Sequence, residues 1–536
     1  MTAVRVVPLG GLGEFGANSI LLDGEGGERL LVDAGAAFND LEAFGVGYEV
    51  PDFGALGARL PHHVLLTHAH DDHAKALSQL RAAAPAAEVW GTRPTLARAT
   101  AALDGARTRG LSAAAPATVG GFAVDVLPVS HSIPGTVVAR LRTELGSLVV
   151  ATDFRLAAPA IGDATDLSVL ARWGAEGVDV ALLDSTNSTV SPEPPAEATI
   201  AATLAELVRG STGMVVAATF ASHTGRFHQL VAAAVASGRA VIPVGRGMLD
   251  MLAVERSLGT ALPPGAVRPL RDAAQLPRDR LLVVATGSQG EIGSAFARLA
   301  ADLLAELRLR PGDLVLHAAR VIPGSERRLA TLFDHCARRG ARVVTAAEAP
   351  IHASGHAHRA ELATVLQLLR PRQVLPVHGR RRNLEALAEL ARAQGCRTVV
   401  VENGEELEWG ADGLAPTGRS AGVGRILVDD AGDEALDAGL LLNRRVMAQQ
   451  GVVVAVLPLP TGGEPATPQL HLHGLALDDK TRRRLAVELR EELRRGGAPR
   501  VHDTEWLRST MASWLRRELR RRTRKRPAVV ALVTEP

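Results

Sequence analysis

LTHAHDDHAKAL, residues 66–77, places three histidines and two aspartates within the six positions from His68 to His73. Neutral imidazole and carboxylate are ligands for Zn2+ and Mn2+. In His68-Ala69-His70 the two rings are two residues apart, so in an extended turn they point the same way. Asp72 and His73 follow at once and reach an adjacent position. One ion takes three or four ligands, and this loop offers four in pairs, so the pattern points to two ions. Further ligands must come from elsewhere. His131 follows VDVLPVS, Asp153 follows SLVVAT and His378 follows QVLPV. Polar residues at the ends of apolar strands are where sites of layered α/β folds collect. A histidine-rich surface loop would explain any one of these histidines, but not the ordered set.

The chain has 536 residues, too many for one core, so two to four domains are expected. The first 160 residues alternate short Val/Leu-rich runs with turns and some helical segments (74–84, 93–103), an α/β pattern. From about 196, longer helices alternate with the apolar runs 214–220, 240–247, 281–290 and 313–320, which reads as a second parallel sheet. The Pro-rich SPEPPAE (191–197) marks the boundary. Strand-and-loop texture returns near 350. A polar, Gly-rich stretch near 410–424 leads to a last unit: a strand (451–459), a Pro/Gly-rich loop and a basic helix pair. The domain reading is therefore 1–195 and 351–415 as two parts of one domain, 196–350 inserted, 416–450 a linker and 451–536 a small α+β domain.

No run of 18 apolar residues occurs, so no membrane span is expected. MTAVRVVPLGG reads as a first strand and not as a signal peptide. Two cysteines, Cys336 and Cys396, exclude a disulfide framework and fit a cytoplasmic protein with both thiols packed inside. The net charge of +2 hides an asymmetry: residues 481–526 carry 16 Arg/Lys against 6 Asp/Glu. A polyanion is the partner such a tail suits.

The order HxHxDH, lone His, lone Asp, late His resembles that of the metallo-β-lactamase superfamily. PLGGLGEFGANSILLD, LVDAG, LTHAHDDHAKAL, VSHSIPGTVV, ATDF, LLDSTN, TFAS, TGSQGE, IPGSE, HASGH and PVHG together resemble, in order, the landmarks of the bacterial ribonuclease J family. The resemblance covers roughly residues 4–410, more weakly the C-terminal unit. It implies an αββα metallo-β-lactamase sandwich carrying an inserted β-CASP domain. It further implies one metal on His68, His70 and His131, a second on Asp72, His73 and His378, and Asp153 bridging them. Asp33 in LVDAG would support the ligand loop, and Asp71 has a loop-supporting role only.

Two divalent cations about 3.5–4 Å apart supply hydroxide at neutral pH and polarise a phosphate oxygen. Zinc is the expected ion and manganese the alternative, since such sites accept both. In-line attack would leave a 5′ phosphate, with Asp72 and His356 as the catalytic side chains and His356 the proton donor to the leaving oxygen. The resemblance places Ser354 and His356 near the scissile phosphate. Ser222, Arg246, Ser288, Arg320, His352, Ser354, Gly355 and His356 are the candidate RNA or phosphate contacts, many on glycine-bearing strand ends that expose backbone N–H groups. His358 reads as structural. This chain departs from the family at GRGM (245–248, usually GRSM), at HAAR (317–320, usually serine-rich), at ATDF and at His223. Recognition of a 5′ monophosphate is the property those changes touch.

The expected activity is a metal-dependent ribonuclease, endonucleolytic and 5′→3′ exonucleolytic, acting on single-stranded RNA in processing and decay. The expected assembly is a homodimer or dimer of dimers with RNA-decay partner proteins. Alternatives are a β-CASP DNA nuclease, an RNA-binding paralogue with reduced activity, and a small-molecule hydrolase, which would need no inserted domain. In the C-terminal helices Leu485, Leu489 and Leu493 form an apolar stripe beside an arginine face. That face reads as solvated packing surface or as a hold on RNA backbone.

Overall fold

The computed structural model describes residues 3–24, 26–39, 41–191, 193–322, 324–429, 431–432, 434–458, 466–495 and 503–534. Two sheets lie at the centre. One has eight strands, in the order Gly413–Ser420, Glu405–Gly410, Val4–Gly10, Ser19–Gly24, Arg29–Val32, His63–Leu65, Glu88–Gly91, Arg107–Gly110. The other has seven: Arg397–Thr398, Gln373–Val377, Val180–Asp184, Gly146–Ala151, Val137–Thr143, Phe122–Pro128, Ala117–Val119. Their alternating residues meet in one core, where Val6, Ile20, Leu22 and Leu30 face Val124, Leu141, Leu148 and Leu182. The second sheet's other face packs on the helices Leu167–Glu176, Arg359–Leu369 and Arg381–Ala393 through Trp173, Leu362, Leu366 and Leu387. Strands covered on both faces read as continuous apolar runs, which is why VALLD and QVLPV are buried at every position.

Between these halves the chain builds a five-stranded, wholly parallel sheet in the order Ala240–Val244, Leu281–Ala285, Val215–Ala218, Leu314–His317, Arg342–Thr345. Helices Glu197–Gly210, Thr224–Ala236 and Arg246–Leu258 cover one face through Leu204, Leu230 and Leu252. In every parallel pair the C-terminal strand ends open into loops, and TFAS, GRGM, TGSQGE and HAAR all start there.

The chain separates into two compact units, residues 1–38 with 49–425, and residues 39–48 with 426–536. The second holds a three-stranded sheet, Gln469–His473, Val452–Pro458 and Ala528–Thr534, covered by helices Asp479–Arg495 and Thr504–Thr523. Leu485, Leu489 and Leu493 do face its core, with Trp514 and Leu515 opposite. The sequence reading differs in two places. Residues 416–450 are not a plain linker: strand Arg425–Asp429 and helix Ala438–Gln450 lie there. That helix buries none of its residues, so its sequence carries no apolar stripe to announce it. The closing strand Ala528–Thr534 pairs in parallel with Val452–Pro458, a long-range register that local pattern does not encode. The Pro/Gly-rich loop after residue 458 lies outside the described residues. No helix among the described residues is long and apolar enough to cross a membrane.

Candidate metal centre

The loop after His63–Leu65 runs extended through His68 and His70, then closes as a single helical turn, Asp71–Ala74. This switch sends His68 and His70 one way and Asp72 and His73 another. His68 and His73 are wholly buried. His131 and Asp153 follow Phe122–Pro128 and Gly146–Ala151, the two strands that flank Val137–Thr143, and His378 follows the strand Gln373–Val377. The ligand-type atoms of His68, His70, His131 and Asp153 all lie within 4.8 Å of one another, as do those of Asp72, His73 and His378. Asp153 sits between the groups, with Oδ2 3.6 Å from His68 Nε2 and Oδ1 3.1 Å from His73 Nε2.

The rings are aimed by a second layer of partners. His73 Nδ1 donates to Asp33 Oδ2 at 2.7 Å, and Asp33 also accepts from the Thr67 N–H and hydroxyl at 2.8 Å each. His131 Nδ1 donates to the Gly355 carbonyl at 2.7 Å, and His378 Nδ1 meets Thr186 Oγ1 at 2.9 Å. These partners fix how each ring is turned toward the cluster, as the outer partners of metal-binding histidines do. Asp33 (φ 59°) and His378 (φ 54°) both hold left-handed backbone, strain of about 1–3 kcal/mol each that recurs at functional sites.

The donor set fits divalent cations. His68 Nε2 and His131 Nε2 converge on His70 Nδ1 at 3.0 and 3.2 Å, which gathers three ring nitrogens at one point in a way that suits a shared cation. Asp153 Oδ1 is buried and accepts no hydrogen bond of good geometry among the described residues. Burial, with the neighbouring rings, pushes His131 down to about 3 and His68 well below its ordinary value. Burial acts the same way on His73 and His378, but Asp153 and the other carboxylates outweigh it and raise both. Burial opposes the charge on Asp72, but His73 and His378 hold its carboxyl below the carboxylate range. Burial also opposes charge on His356, yet Asp153 and Asp184 outweigh it and raise the ring to about 9.

His356 stands beside the cluster, its Nδ1 donating to Asp184 Oδ2 at 2.9 Å and lying 3.6 Å from Asp153 Oδ2. Ser354 accepts from Asn187 Nδ2 at 3.0 Å, and the same amide donates to the His356 carbonyl at 3.1 Å. Arg320 is exposed and reaches into this group: its Nη1 donates to Asn187 Oδ1 at 2.7 Å. Gly355 fits only as glycine, because a Cβ would meet His131 Cε1 at 2.8 Å. The other candidates are scattered. Ser288 is buried, with its carbonyl facing His317 Nε2 at 2.7 Å. Arg246 is exposed in the first turn of its helix, and Ser222 is half-buried in a turn. His352 is half-buried, edge-on to His223 at 6.0 Å between centroids, and burial drives it down to about 3. His358 bonds Glu361 at 2.7 Å and caps its helix. Both cysteines are buried and free.

Sequence reasoning passed over Asp184, Thr186 and Asn187 as individual residues. They sit in LLDSTN directly beyond a buried strand, the same strand-end signal that marked Asp153 and His378.

Sandwich, insertion and paired His/Asp cluster define a metallo-β-lactamase-fold hydrolase with a β-CASP domain. Residues 28–224 match the beta-lactamase superfamily domain, and 212–336 the beta-CASP domain of ribonuclease J. Residues 325–401 match the Zn-dependent metallo-hydrolase RNA specificity domain, and 439–536 the ribonuclease J C-terminal domain. Ribonuclease J of Mycolicibacterium smegmatis is 33% identical over 551 residues, covering 99% of this chain and 97% of the relative. Ribonuclease J of Mycobacterium tuberculosis is 33% identical over 556 residues, covering 98% and 97%. The chain belongs to the ribonuclease J family. A crystal structure of a protein of unknown function from Enterococcus faecalis shares the fold, with a TM-score of 0.54 at 15% identity over 76% of this chain and 99% of that one.

Proposed function

We propose that this chain is a metal-dependent ribonuclease that cleaves single-stranded RNA internally and from the 5′ end, leaving 5′ phosphates. One observation carries the reading: His68, His70, His131 and Asp153 gather beside Asp72, His73 and His378, with Asp153 Oδ1 3.1 Å from His73 Nε2, next to a loop, 352–358, that bears His356 and Ser354. One ion would be held by His68, His70 and His131, the other by Asp72, His73 and His378, with Asp153 common to both. Divalent cations held there supply Lewis-acid neutralisation of a phosphodiester and make water more acidic.

The side chains supply the rest. Asp72, kept ionised by His73 and His378, accepts a proton from the attacking water. The water oxygen bonds to phosphorus as the bond from phosphorus to the upstream 3′ oxygen breaks. His356, charged and fixed through Nδ1 by Asp184, gives its other ring proton to that leaving oxygen. Ser354 and exposed Arg320 offer a hydroxyl and a guanidinium to the strand's phosphates.

Assembly as a homodimer or dimer of dimers belongs to the same reading. Support comes from the edge strand Ala528–Thr534, which leaves Val530 and Leu532 exposed. Light scattering reads the mass. The activity test uses matched single-stranded RNA and DNA with zinc or manganese, and RNA carrying a 5′ monophosphate, triphosphate or hydroxyl. RNA cleavage abolished by chelator and by His73→Ala is expected. A metal-loaded chain that cuts neither polymer would refute the proposal, and equal rates on the three 5′ ends would remove 5′-end sensing.

A further inference from the structure

The C-terminal unit holds a cleft of about 560 Å3 lined by Leu442, Arg445, Val446, Gln449, Gln450, Arg524 and Arg526. It has an apolar floor, an amide flank and three guanidinium groups, and no acidic residue among the described residues that line it. Along helix Ala438–Gln450 two neighbouring arginines behave differently. Arg444 is spent on structure: it pairs with Asp429 and donates to the Gly45 carbonyl at 3.1 Å. Arg445 is exposed and lies 5.7 Å over the Phe44 ring, with no ion pair among the described residues.

The opposite wall is just as fixed. Arg524 ends helix Thr504–Thr523 in left-handed backbone, φ 60°, its N–H bonded to Arg520. The Arg526 N–H donates to Gln450 Oε1 at 3.0 Å, tying the two walls together. Lys525 bonds the Gly474 carbonyl at 3.3 Å. Arg524 and Arg526 are exposed and their side chains form no ion pair among the described residues. By contrast Arg517, Arg521 and Arg522, on the same helix, are paired with Glu492, Glu518 and Glu488. Arg516 and Arg520, four residues apart on one face of that helix, likewise form no ion pair among the described residues. That spacing is about 6 Å of helix rise, close to a step between successive phosphates of an extended strand.

We propose that this cleft is a second binding site for single-stranded nucleic acid, separate from the metal centre, taking one or two nucleotide units. Phosphates sit against Arg445, Arg524 and Arg526, and a base lies on Leu442 and Val446. Guanidinium forks suit phosphate geometry, and arginine with apolar side chains also accepts a base face without sequence preference. This rests on the reading that the polymer acted on is RNA, but its test does not.

The test is binding by the full chain in chelator, where no cleavage occurs. Anisotropy of a labelled 5′-hydroxyl oligouridylate of roughly 30 nucleotides is followed as salt is raised. Each phosphate contact on a single strand adds about 0.7 to the slope of log K against log salt. Replacing Arg445, Arg524 and Arg526 together by Gln is expected to lower that slope by about 2 and the affinity about tenfold at moderate salt. The all-Lys variant should keep most of the slope. Arg445→Glu alone, a surface change, gives a milder loss if the triple variant folds poorly. 4-Thiouridine in the oligomer should crosslink to the peptide bearing Leu442 and Gln449. An unchanged slope, crosslinks only elsewhere, or an altered oligomer mass with an unchanged slope would each overturn the proposal, the last marking the cleft as a contact with a second copy. A lowered slope in a chain that cuts no RNA when metal-loaded would fail the proposed activity and leave this site standing.

Discussion

Arg320 Nη1 donates to Asn187 Oδ1 at 2.7 Å, and Asn187 in turn holds Ser354 and the His356 carbonyl. A residue of the inserted domain thereby fixes the loop that carries the proposed proton donor. A hydrogen bond from a charged donor is worth about 1.5–3 kcal/mol. Asn187→Ala is expected to lower kcat at least tenfold, with a smaller change in KM, in steady-state cleavage of single-stranded RNA. Arg320→Ala should lower kcat alike and also raise KM, because its guanidinium is offered to the strand's phosphates, and the double variant should lower kcat little further.

Asp33 holds His73 directly and reaches His68 Nδ1 by way of the Thr67 hydroxyl, so its replacement tests how the rings are oriented. Asp33→Asn keeps the shape but loses the charged acceptor for His73 Nδ1. Metal affinity should fall roughly 10–100-fold, read by competition with a coloured chelator. Full affinity in a folded Asp33→Asn variant would show that His73 needs no such partner.

Gly355→Ala puts a methyl group 2.8 Å from His131 Cε1 and 3.2 Å from Ser132 Cβ. The His131 ring must move, while Asp72, His73 and His378 are untouched. Tight metal content should drop from two ions per chain towards one, measured by elemental analysis after gel filtration. Retention of two ions would argue against His131 as a ligand.

Arg98 and Glu255 form a buried ion pair joining helix Arg93–Arg98 of the sandwich to helix Arg246–Leu258 of the insertion. Burial alone would raise the Glu255 carboxyl, but His228 and Arg98 outweigh it and hold it below 4.5. A carboxyl depressed on folding stabilises above its unfolded pKa, and that contribution fades as pH falls through the folded value. Glu255→Gln strands a buried guanidinium, a cost of about 3 kcal/mol at neutral pH. The gap in Tm between wild type and Glu255→Gln should therefore be several degrees at neutral pH and narrow in acid, as pH falls through the depressed carboxyl's folded pKa. A gap that persists in acid would locate the cost in packing and not in the ion pair.

Much of the centre was legible because its chemistry is local. His68, His70, Asp72 and His73 are adjacent in sequence, and a single change from extended chain to helical turn parts them into two groups. His131, Asp153 and His378 were legible for a different reason: a buried strand must end where its sheet does, and a polar residue there is conspicuous. The parallel inserted sheet likewise follows from alternating apolar runs and helices. Helix Ala438–Gln450 and the arginine cleft were not legible, since a helix with no buried face carries no apolar period.

By itself the sequence determined the layered α/β architecture and which side chains could bind metal, because burial periodicity and ligand chemistry are written residue by residue. Only the tertiary structure decided which of them act on one another. The Asp33–His73 contact spans 40 positions, Arg320–Asn187 spans 133, and Asp184–His356 spans 172. Such pairings are set by strand order and by the docking of the inserted sheet, and neither leaves a mark on the local composition of the residues it joins.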